Sequence, residues 1–404
     1  MWIRRRLDIG WTDIAWGCSR CLLPGALEEN ARHRLESAWA GESDAVACLS
    51  VRTGFDLLLR ALALPPGSEV LMSALNVPGM FRIVEAQGLV VVPLDLNPNL
   101  SPATEVVRAA ITPRSRAIVV AHLFGARADL TPIRSLAREH GLVLVEDRAQ
   151  AFDGLPAAAP EGSDAALYSF GTIKTATAFG GAMLTVRDPV LAERIRSLER
   201  ALPPQTRWEY LARLLKYAGA KVLTGQRTYT TLCKAFDRAG ADADAWLQRA
   251  AAGFRADGLL DAIRHRPATP NLALMERRIQ RFDPARAKHQ RQRGGRLAAS
   301  MGHEFPVAGD PITHTFDLFP LRLGNPRAVQ AALREAGFDA TMRGSMTTAP
   351  CSNENPTATA NAERLLDEIL FLPLYPAMPD EELSRMASVV HESGEPPLAE
   401  KPWQ

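Results

Sequence analysis

The sequence has no apolar stretch of the about 20 residues that a membrane-spanning helix requires. Its start, MWIRRRLDIGW, carries basic residues, but the apolar segment of a signal peptide does not follow them. Together these two absences predict a soluble protein of the cytoplasm.

Cysteine is scarce, and the five cysteines are an odd number at irregular spacing. They offer no disulfide framework, which fits a reducing compartment. Cys18 and Cys21 form a lone CxxC, but no second ligand pair follows at the spacing of a zinc ribbon. We therefore expect no metal site.

Neither sign of charge is in excess, since 47 Lys and Arg face 45 Asp and Glu and the net charge is +2. This balance indicates no polyanionic partner, and the chain has no recognisable nucleic-acid-binding motif. The charges are unevenly placed, however. Between residues 207 and 296, basic residues outnumber acidic ones roughly two to one.

What is present is an alternation of apolar runs and amphipathic segments from about residue 45 to residue 186. This pattern predicts a mostly parallel sheet covered on both faces, with ligands at the carboxyl ends of its strands. A long Arg-rich helix is predicted at 271–296, and an α+β pattern follows Pro306. We expect an amino-terminal arm at 1–25, a large domain at 26–300 and a small domain at 301–404.

Two segments carry residues suited to one kind of chemistry. VLVEDRAQAF (143–152) is an apolar run that delivers a carboxylate, Asp147, and YSFGTIKTATAFGG (168–181) places Lys174 among small residues. A lysine forms the imine to the aldehyde of pyridoxal 5'-phosphate (PLP), and a carboxylate keeps the pyridine nitrogen of that cofactor protonated. The two segments therefore predict a PLP enzyme.

With these segments in place, the chain resembles the DegT/StrS-type sugar aminotransferases over about 45–196 and 271–390. Further matching motifs are PPGSEVLM (65–72), AITPRSRAIVVAHLFGARADL (110–130) and LPLYPAMPDEEL (372–383). The resemblance implies the fold type I of PLP transferases, with a mostly parallel seven-stranded sheet in the large domain and a smaller α+β carboxyl-terminal domain. It also implies PLP as cofactor, glutamate as amino donor, a small-molecule keto-sugar on a nucleotide as acceptor, and a homodimer with shared active sites.

The resemblance assigns the catalytic roles to particular residues. Lys174 matches the Schiff-base lysine, which also moves the proton between substrate and cofactor. Asp147 matches the carboxylate beside the pyridinium nitrogen, where opposite charges favour the ionised form of both groups. Gln150 matches the residue near the phenolic oxygen of the cofactor.

The cofactor's phosphate needs backbone N–H groups at a helix start, together with hydroxyl or cationic groups. Before the helix predicted at 55–63, the residues that match are Arg52, Thr53 and Gly54, and Ser169 matches a second phosphate hydroxyl. Val77 stands where the family usually has an aromatic ring over the cofactor face, with Asn76 and Phe81 as neighbouring candidates for that contact.

Two further departures from the family pattern lie beyond the lysine. Phe179-Gly180-Gly181 stands one residue closer to Lys174 than the Glu-Gly-Gly of the family, in a loop that faces the substrate there. An insertion at about 203–265 carries a basic, aromatic, amphipathic segment at 207–236 and a second helical pattern at 244–260.

The insertion has two interpretations. One is a helical subdomain that packs on the enzyme or on its dimer mate. The other is a surface that contacts a membrane or a lipid-linked substrate through 207–236, which would place the protein at the periphery of the inner membrane.

The leading functional hypothesis is amino transfer onto a keto-sugar or another polyhydroxylated carbonyl compound, nucleotide- or lipid-linked. A PLP-dependent dehydratase of the same fold is an alternative, but the family's dehydratases have histidine in place of Lys174. A non-catalytic PLP-binding sensor is the hypothesis from another class, and it predicts cofactor binding without amino transfer.

Overall fold

The computed structural model describes residues 1–23, 30–39, 43–154, 162–238, 258–302, 307–309, 313–351, 355 and 357–394. Most of the helical segment predicted at 244–260 lies outside these residues. The elements of the amino-terminal half are, in chain order, α1 (Trp11–Leu22), α2 (Ala31–Trp39), β1 (Asp44–Cys48), α3 (Val51–Leu62), β2 (Glu69–Ser73), β3 (Leu75–Asn76), α4 (Pro78–Ala86), β4 (Val90–Leu94), α5 (Thr104–Ala110), β5 (Ser115–Ala121), α6 (Thr131–Glu139), β6 (Val143–Asp147), β7 (Ala165–Ser169) and β8 (Ala182–Val186).

The carboxyl-terminal half is mainly helical until the chain enters a second, smaller sheet. Its elements are α7 (Pro189–Arg200), α8 (Arg207–Leu223), α9 (Gln226–Arg238), α10 (Leu259–Ile263), α11 (Thr269–Gln280), α12 (Pro284–Met301), β9 (Phe319–Arg322), α13 (Pro326–Glu335), β10 (Thr341–Met342), β11 (Thr347–Thr348), α14 (Ala360–Glu368), β12 (Ile369–Leu372) and α15 (Asp380–Glu392).

The larger sheet has seven strands in the order β1-β8-β7-β6-β5-β2-β4. The pairs from β4 to β7 are parallel, and only β8 runs antiparallel to its two neighbours. The α/β class and the mostly parallel seven-stranded sheet are therefore confirmed.

Both faces of this sheet are covered, because successive side chains of a strand point to opposite sides. Val145 and Leu167 enter a core shared with α3 and α4. Leu144 packs with α5 and α6, and Tyr168 packs in an aromatic-rich core with α1, α2, α8 and α11. Removing these apolar side chains from water is the main force that holds the helices on the sheet.

Two of the predicted helices were wrong in extent. The single helix predicted at 271–296 is two helices, α11 and α12, because Pro284 has no N–H to continue the first one. The Asp283 carboxylate instead accepts a hydrogen bond from the Ala285 N–H (2.9 Å) and starts α12. The helix predicted at 360–370 ends at Glu368, since the next residues pair with β9 as strand β12.

The small sheet has the order β10-β12-β9, and a separate two-stranded ladder joins the carboxyl-terminal part of the chain to β3. Strand β11 pairs antiparallel with β3, and the Ala349 N–H donates to the Ala74 carbonyl (2.8 Å). Residues of the carboxyl-terminal part are thereby held against Asn76, directly beside the carboxyl ends of the parallel strands.

The end of strand β6 is anchored by a buried network around Glu146. The Glu146 carboxylate faces His122 Nε2 at 2.9 Å and accepts hydrogen bonds from Arg148 Nε (2.8 Å) and from the Ser163 hydroxyl. Because the Ala128 N–H donates to His122 Nδ1 (3.1 Å), we assign the ring proton to Nε2, which donates to Glu146. Burial raises the pKa of Glu146, but these partners outweigh it and lower the pKa to about 2.

We expect this network to make stability depend on pH in a defined window. The pKa of Glu146 is about 2 in the folded chain and 4.5 when the network is not formed. The contribution of Glu146 to stability is therefore complete above pH 4.5 and is lost as the pH falls towards 2. Glu146→Gln should lower the free energy of unfolding at pH 7 by on the order of 3 kcal/mol in urea titrations. It should also flatten the acid limb of the stability profile. The exposed Glu139→Gln should change neither, and an unchanged acid limb in Glu146→Gln would contradict the assignment.

Two adjacent glycines of α12 give a matched test of packing. A Cβ at Gly294 would lie 2.2 Å from the ring of Phe316, whereas a Cβ at Gly295 would meet no atom within 4 Å. Gly294→Ala should therefore destabilise the chain by about 1–3 kcal/mol through overpacking, and Gly295→Ala should stabilise it by about 1 kcal/mol through helix propensity. Thermal unfolding of the two variants checks this, and equal shifts would argue against the close packing of Phe316 on α12.

Candidate active site

The carboxyl ends of the parallel strands bring the two sequence motifs to one edge of the sheet. Asp147 is the last residue of β6 and Ser169 is the last residue of β7. The two strands are parallel, with Asp147 opposite Leu167. Both side chains therefore lie at the edge where ligands bind in α/β folds.

Asp147 is buried and is held in place from two directions. Its Oδ1 accepts the Ala149 N–H (3.0 Å), and its Oδ2 accepts a hydrogen bond from Asn76 Nδ2 (3.4 Å). Asn76 belongs to β3, where β11 of the carboxyl-terminal part is paired with it. The carboxylate is thus oriented by both parts of the molecule.

Lys174 lies in the turn that follows β7, and its N–H donates to the Gly171 carbonyl (3.1 Å). The loop beyond it is tightly fixed, since the Phe170 carbonyl accepts from the N–H groups of both Ala178 and Gly180 (3.1 Å each). Ala176 has a positive φ of 54°, a sparsely populated conformation that its surroundings must enforce. Its N–H donates to the Asp8 carboxylate (2.7 Å) of the amino-terminal arm.

The environment of Lys174 brings the pKa of its amine closer to physiological pH. Burial is the main cause and lowers the pKa of Lys174 from 10.5 to about 8. The carboxylates of Asp317 and Asp147 raise this pKa, while the guanidinium groups of Arg5 and Arg52 lower it. The predicted pair Lys174 and Asp147 is therefore within electrostatic reach.

The start of α3 forms the third side of the site. The Ser50 hydroxyl caps this helix by accepting the Thr53 N–H (3.1 Å), and the Thr53 hydroxyl donates to the Ile263 carbonyl (2.8 Å). The Thr53 side chain is therefore engaged within the protein, and Gly54 is buried against Leu167. What α3 offers an anion is its amino-terminal N–H groups and the guanidinium of Arg52.

Arg52 is placed by a glycine on the facing helix. A Cβ at Gly79 of α4 would come within 2.7 Å of Arg52 Nε, so only glycine leaves room for this side chain. Burial lowers the pKa of Arg52, and the charge of Asp147 raises it. The cation and the carboxylate thus face the same space.

Most of the remaining predicted residues make hydrogen bonds within the protein. Ser169 accepts the Gly171 N–H (3.3 Å), and Gln150 Oε1 accepts the Phe124 N–H (2.5 Å). Val77 starts α4 and is half-buried beside Asn76, whose Oδ1 accepts the Val77 N–H (2.7 Å). Phe81 is buried in the core under α3 and α4, so of the neighbouring candidates only Asn76 reaches the site.

The altered glycine loop packs against the inserted helix α8. A Cβ at Gly181 would lie 2.0 Å from Met275 Sδ of α11, and one at Gly180 would lie 2.7 Å from Arg213 of α8. The ring of Phe179 stacks on Tyr217 of α8 at 5.1 Å between centroids. The described part of the insertion therefore packs against the lysine loop through α8.

Sequence reasoning missed two charged residues of the site, Arg5 and Asp317. They form an ion pair with each other, and both influence the amine of Lys174. No motif marks them, because they lie 312 residues apart and meet only in the fold.

The residues present fit the cofactor that the resemblance implies. The edge holds a half-buried amine of lowered pKa, a buried carboxylate with oriented oxygens, and a helix start with an arginine for an anionic group. Among the described residues, no group of His, Cys, Asp and Glu could hold a metal ion. No helix of the described chain is long and apolar enough to cross a membrane.

Comparison with known proteins agrees with this geometry. Residues 30–225 match the model of the DegT/DnrJ/EryC1/StrS aminotransferase family. The erythromycin biosynthesis sensory transduction protein EryC1 of Saccharopolyspora erythraea is 37% identical over 197 residues, which are 46% of this chain and 53% of the relative. The dTDP-3-amino-3,4,6-trideoxy-alpha-D-glucose transaminase of Streptomyces venezuelae is 37% identical over 174 residues, covering 40% of this chain and 45% of that enzyme. The chain thus spans about half the length of these curated relatives.

The fold extends further than the sequence similarity. The crystal structure of the aminotransferase TlmJ from Streptoalloteichus hindustanus superposes with a TM-score of 0.69 at 22% identity, covering 97% of this chain and 98% of that one. At this identity the superposition shows a shared fold. Over residues 30–225, the chain is similar to the DegT/DnrJ/EryC1/StrS aminotransferase family.

Proposed function

We propose that this chain is a PLP-dependent aminotransferase that moves an amino group from glutamate onto a keto-sugar or a similar polyhydroxylated carbonyl compound, linked to a nucleotide or a lipid. The observation that carries the proposal is the amine of Lys174, held at a pKa of about 8 beside the buried carboxylate of Asp147. The matching transaminase of a dTDP-linked amino sugar supports a nucleotide-linked acceptor.

The residues of the edge would hold the cofactor at four places. Lys174 would bind its aldehyde, Asp147 its ring nitrogen and Gln150 its phenolic oxygen. Arg52, Ser169 and the amino terminus of α3, including the backbone at Thr53 and Gly54, would bind its phosphate. Val77 would lie beside the ring. When bound, PLP supplies an electron sink for the carbon that carries the amino group.

Lys174 is suited to move a proton at this carbon. With a pKa of about 8, roughly a tenth of the amine is neutral at pH 7 and can act as nucleophile or base, and the protonated form returns the proton. Asn76 and the Ala149 N–H hold the two oxygens of Asp147, so this carboxylate is oriented before it would meet the ring nitrogen of the cofactor.

The alternative of a PLP-binding sensor gains support from one relative, EryC1, which is named a sensory transduction protein. The dehydratase alternative predicts histidine at position 174, and the chain has lysine there. The remaining choice between transfer and sensing is open to a direct spectroscopic test.

We expect the purified protein supplied with PLP to show the visible absorption of a lysine-bound cofactor. Addition of L-glutamate should replace it by absorption at shorter wavelength, and a nucleotide-linked keto-sugar should restore the first spectrum. Lys174→Ala should abolish the visible band, whereas Lys216→Ala, an exposed lysine of α8, should leave it intact.

Each departure from this result has a distinct meaning. A visible band that no amino donor changes would favour the sensor. A band that glutamate leaves unchanged and another amino acid shifts would correct the donor. If the protein showed no band with added PLP, the proposal would be wrong.

The proposal extends to a homodimer with shared active sites, and the exposed face of α8 is the surface we assign to the second copy. Trp208, Leu215 and Val222 follow one another at seven-residue intervals on this face and are 61%, 58% and 53% exposed. The opposite face of α8 is already buried through Tyr210 and Leu214. A helix with two apolar faces needs a second partner to cover the outer one.

We expect Leu215→Glu to convert the dimer into monomers, because it places a charge in the middle of this stripe. Light scattering after size-exclusion chromatography measures the mass, with Lys216→Ala as the control that should remain dimeric. Sedimentation with vesicles of anionic phospholipid tests the alternative. A monomeric wild-type chain that binds vesicles, and loses this binding in Leu215→Glu, would assign the face to a membrane surface instead.

A further inference from the structure

The carboxylate of Asp317 lies beside the turn that carries Lys174. Its Oδ1 accepts a hydrogen bond from the hydroxyl of Thr175 (3.4 Å), the residue next to Lys174, and forms the ion pair with Arg5. The side chain is only 5% exposed, and its Oδ2 is buried with no hydrogen-bond partner among the residues that the structure describes. A buried carboxylate oxygen without a hydrogen-bond partner lowers the stability of the fold, and such oxygens are typical of functional groups.

The backbone around Asp317 is held by ring packing and by hydrogen bonds. The preceding Phe316 has a positive φ of 54°, and its ring stacks between His314 and Phe319 at centroid distances of 4.4 and 5.6 Å. The Leu318 N–H donates to the Phe124 carbonyl (3.0 Å), and Gln290 Nε2 donates to the Phe316 carbonyl (3.2 Å). A strained residue held by such packing is typical of functional sites.

Arg5 reaches Asp317 from an arm that is anchored independently on both sides. Arg4 binds the Asp339 carboxylate through Nε (2.9 Å) and NH2 (2.6 Å). Asp8 accepts the Ala176 N–H (2.7 Å), and its own carbonyl accepts from Arg278 (2.6 Å). Loss of the Arg5 side chain would therefore leave the arm in place.

The charges around Lys174 have opposing effects. Four groups act on the amine: the carboxylates of Asp317 and Asp147 favour its protonated form, and the guanidinium groups of Arg5 and Arg52 disfavour it. Of the four, Asp317 has the largest effect on the pKa of Lys174, ahead of Asp147. Asp147, the carboxylate that the sequence motif identifies, thus affects the pKa of Lys174 less than Asp317 does.

We propose that Asp317 is a positioning residue, held by Arg5 and Thr175 with one oxygen left open, and that this arm-bound carboxylate sets how firmly Lys174 keeps its proton. The amino-terminal arm is therefore part of the active site. The inference rests on the proposed function for the use made of that proton, but the placement of the charges does not depend on the cofactor.

The test is the protonation of Lys174 in the full chain freed of cofactor. Trace labelling with acetic anhydride between about pH 6 and pH 10 modifies only neutral amines, and peptide mass spectrometry reads the extent at Lys174 against the exposed Lys216. In the wild type the labelling midpoint should lie near pH 8. Asp317→Asn should move it to lower pH by about one unit and increase labelling at pH 7 about fivefold.

Substitution of Arg5 should have the opposite effect. Arg5→Gln removes a positive charge and strengthens the influence of Asp317, so labelling of Lys174 at pH 7 should fall about threefold. Arg5→Lys should keep the wild-type midpoint, and Arg4→Gln, which loosens the arm without removing a charge near Lys174, should do the same. General damage to the site would shift the Asp317 and Arg5 variants in the same direction.

The inference is overturned if the two charge-removing variants shift the midpoint in the same direction or leave it unchanged. Should Asp317→Asn fail to fold, Arg5→Gln decides alone, because Arg4 and Asp8 still hold the arm. Labelling needs no PLP, so failure of this inference is distinguishable from failure of the proposed function, which the absorption spectrum tests.

Discussion

The register of the parallel strands β5, β6 and β7 is the constraint on which the site depends. The His122 N–H donates to the Asp147 carbonyl (3.0 Å), and the Arg148 N–H donates to the Leu167 carbonyl (2.8 Å), which closes the ladder at its carboxyl edge. Since successive side chains of a strand point to opposite faces, Glu146 and Asp147 have separate environments. Glu146 enters the network with His122, and Asp147 faces Asn76 and the charge of Arg52.

The site concentrates features that cost stability. Lys174 is partly removed from water, one oxygen of Asp317 has no hydrogen-bond partner in the described chain, and Ala176 and Phe316 have positive φ angles. Such features persist only where the surrounding structure determines them. Here the buried Glu146 network below the edge and the aromatic core under the lysine loop provide that support. These groups would therefore already be in place when a cofactor binds.

Three parts of the chain meet at this edge. Strand β6 provides Asp147 and the turn after β7 provides Lys174, the ladder of β11 on β3 holds Asn76, and the residues before α1 contribute Arg5. The lysine loop is accordingly held at two places. The Asp8 carboxylate accepts a hydrogen bond from it, and Tyr217 of α8 stacks on it. The insertion is thus a support for the lysine loop as well as a source of exposed apolar surface.

The sequence by itself determined the parallel sheet, because the sheet depends on local pattern. Short apolar runs marked β6 and β7, and the residues that end or follow them, Asp147, Ser169 and Lys174, are the ones predicted for the site. The break between α11 and α12 is also encoded locally, by Asp283 and Pro284, although the pattern of apolar residues did not predict it. Only the tertiary structure decided the strand β12 and the engagement of Thr53 with Ile263. It alone decided that Asp317 and Arg5 join the site. Their proximity depends on strand pairing and packing between residues 312 positions apart, and no local pattern of side chains encodes such a distance.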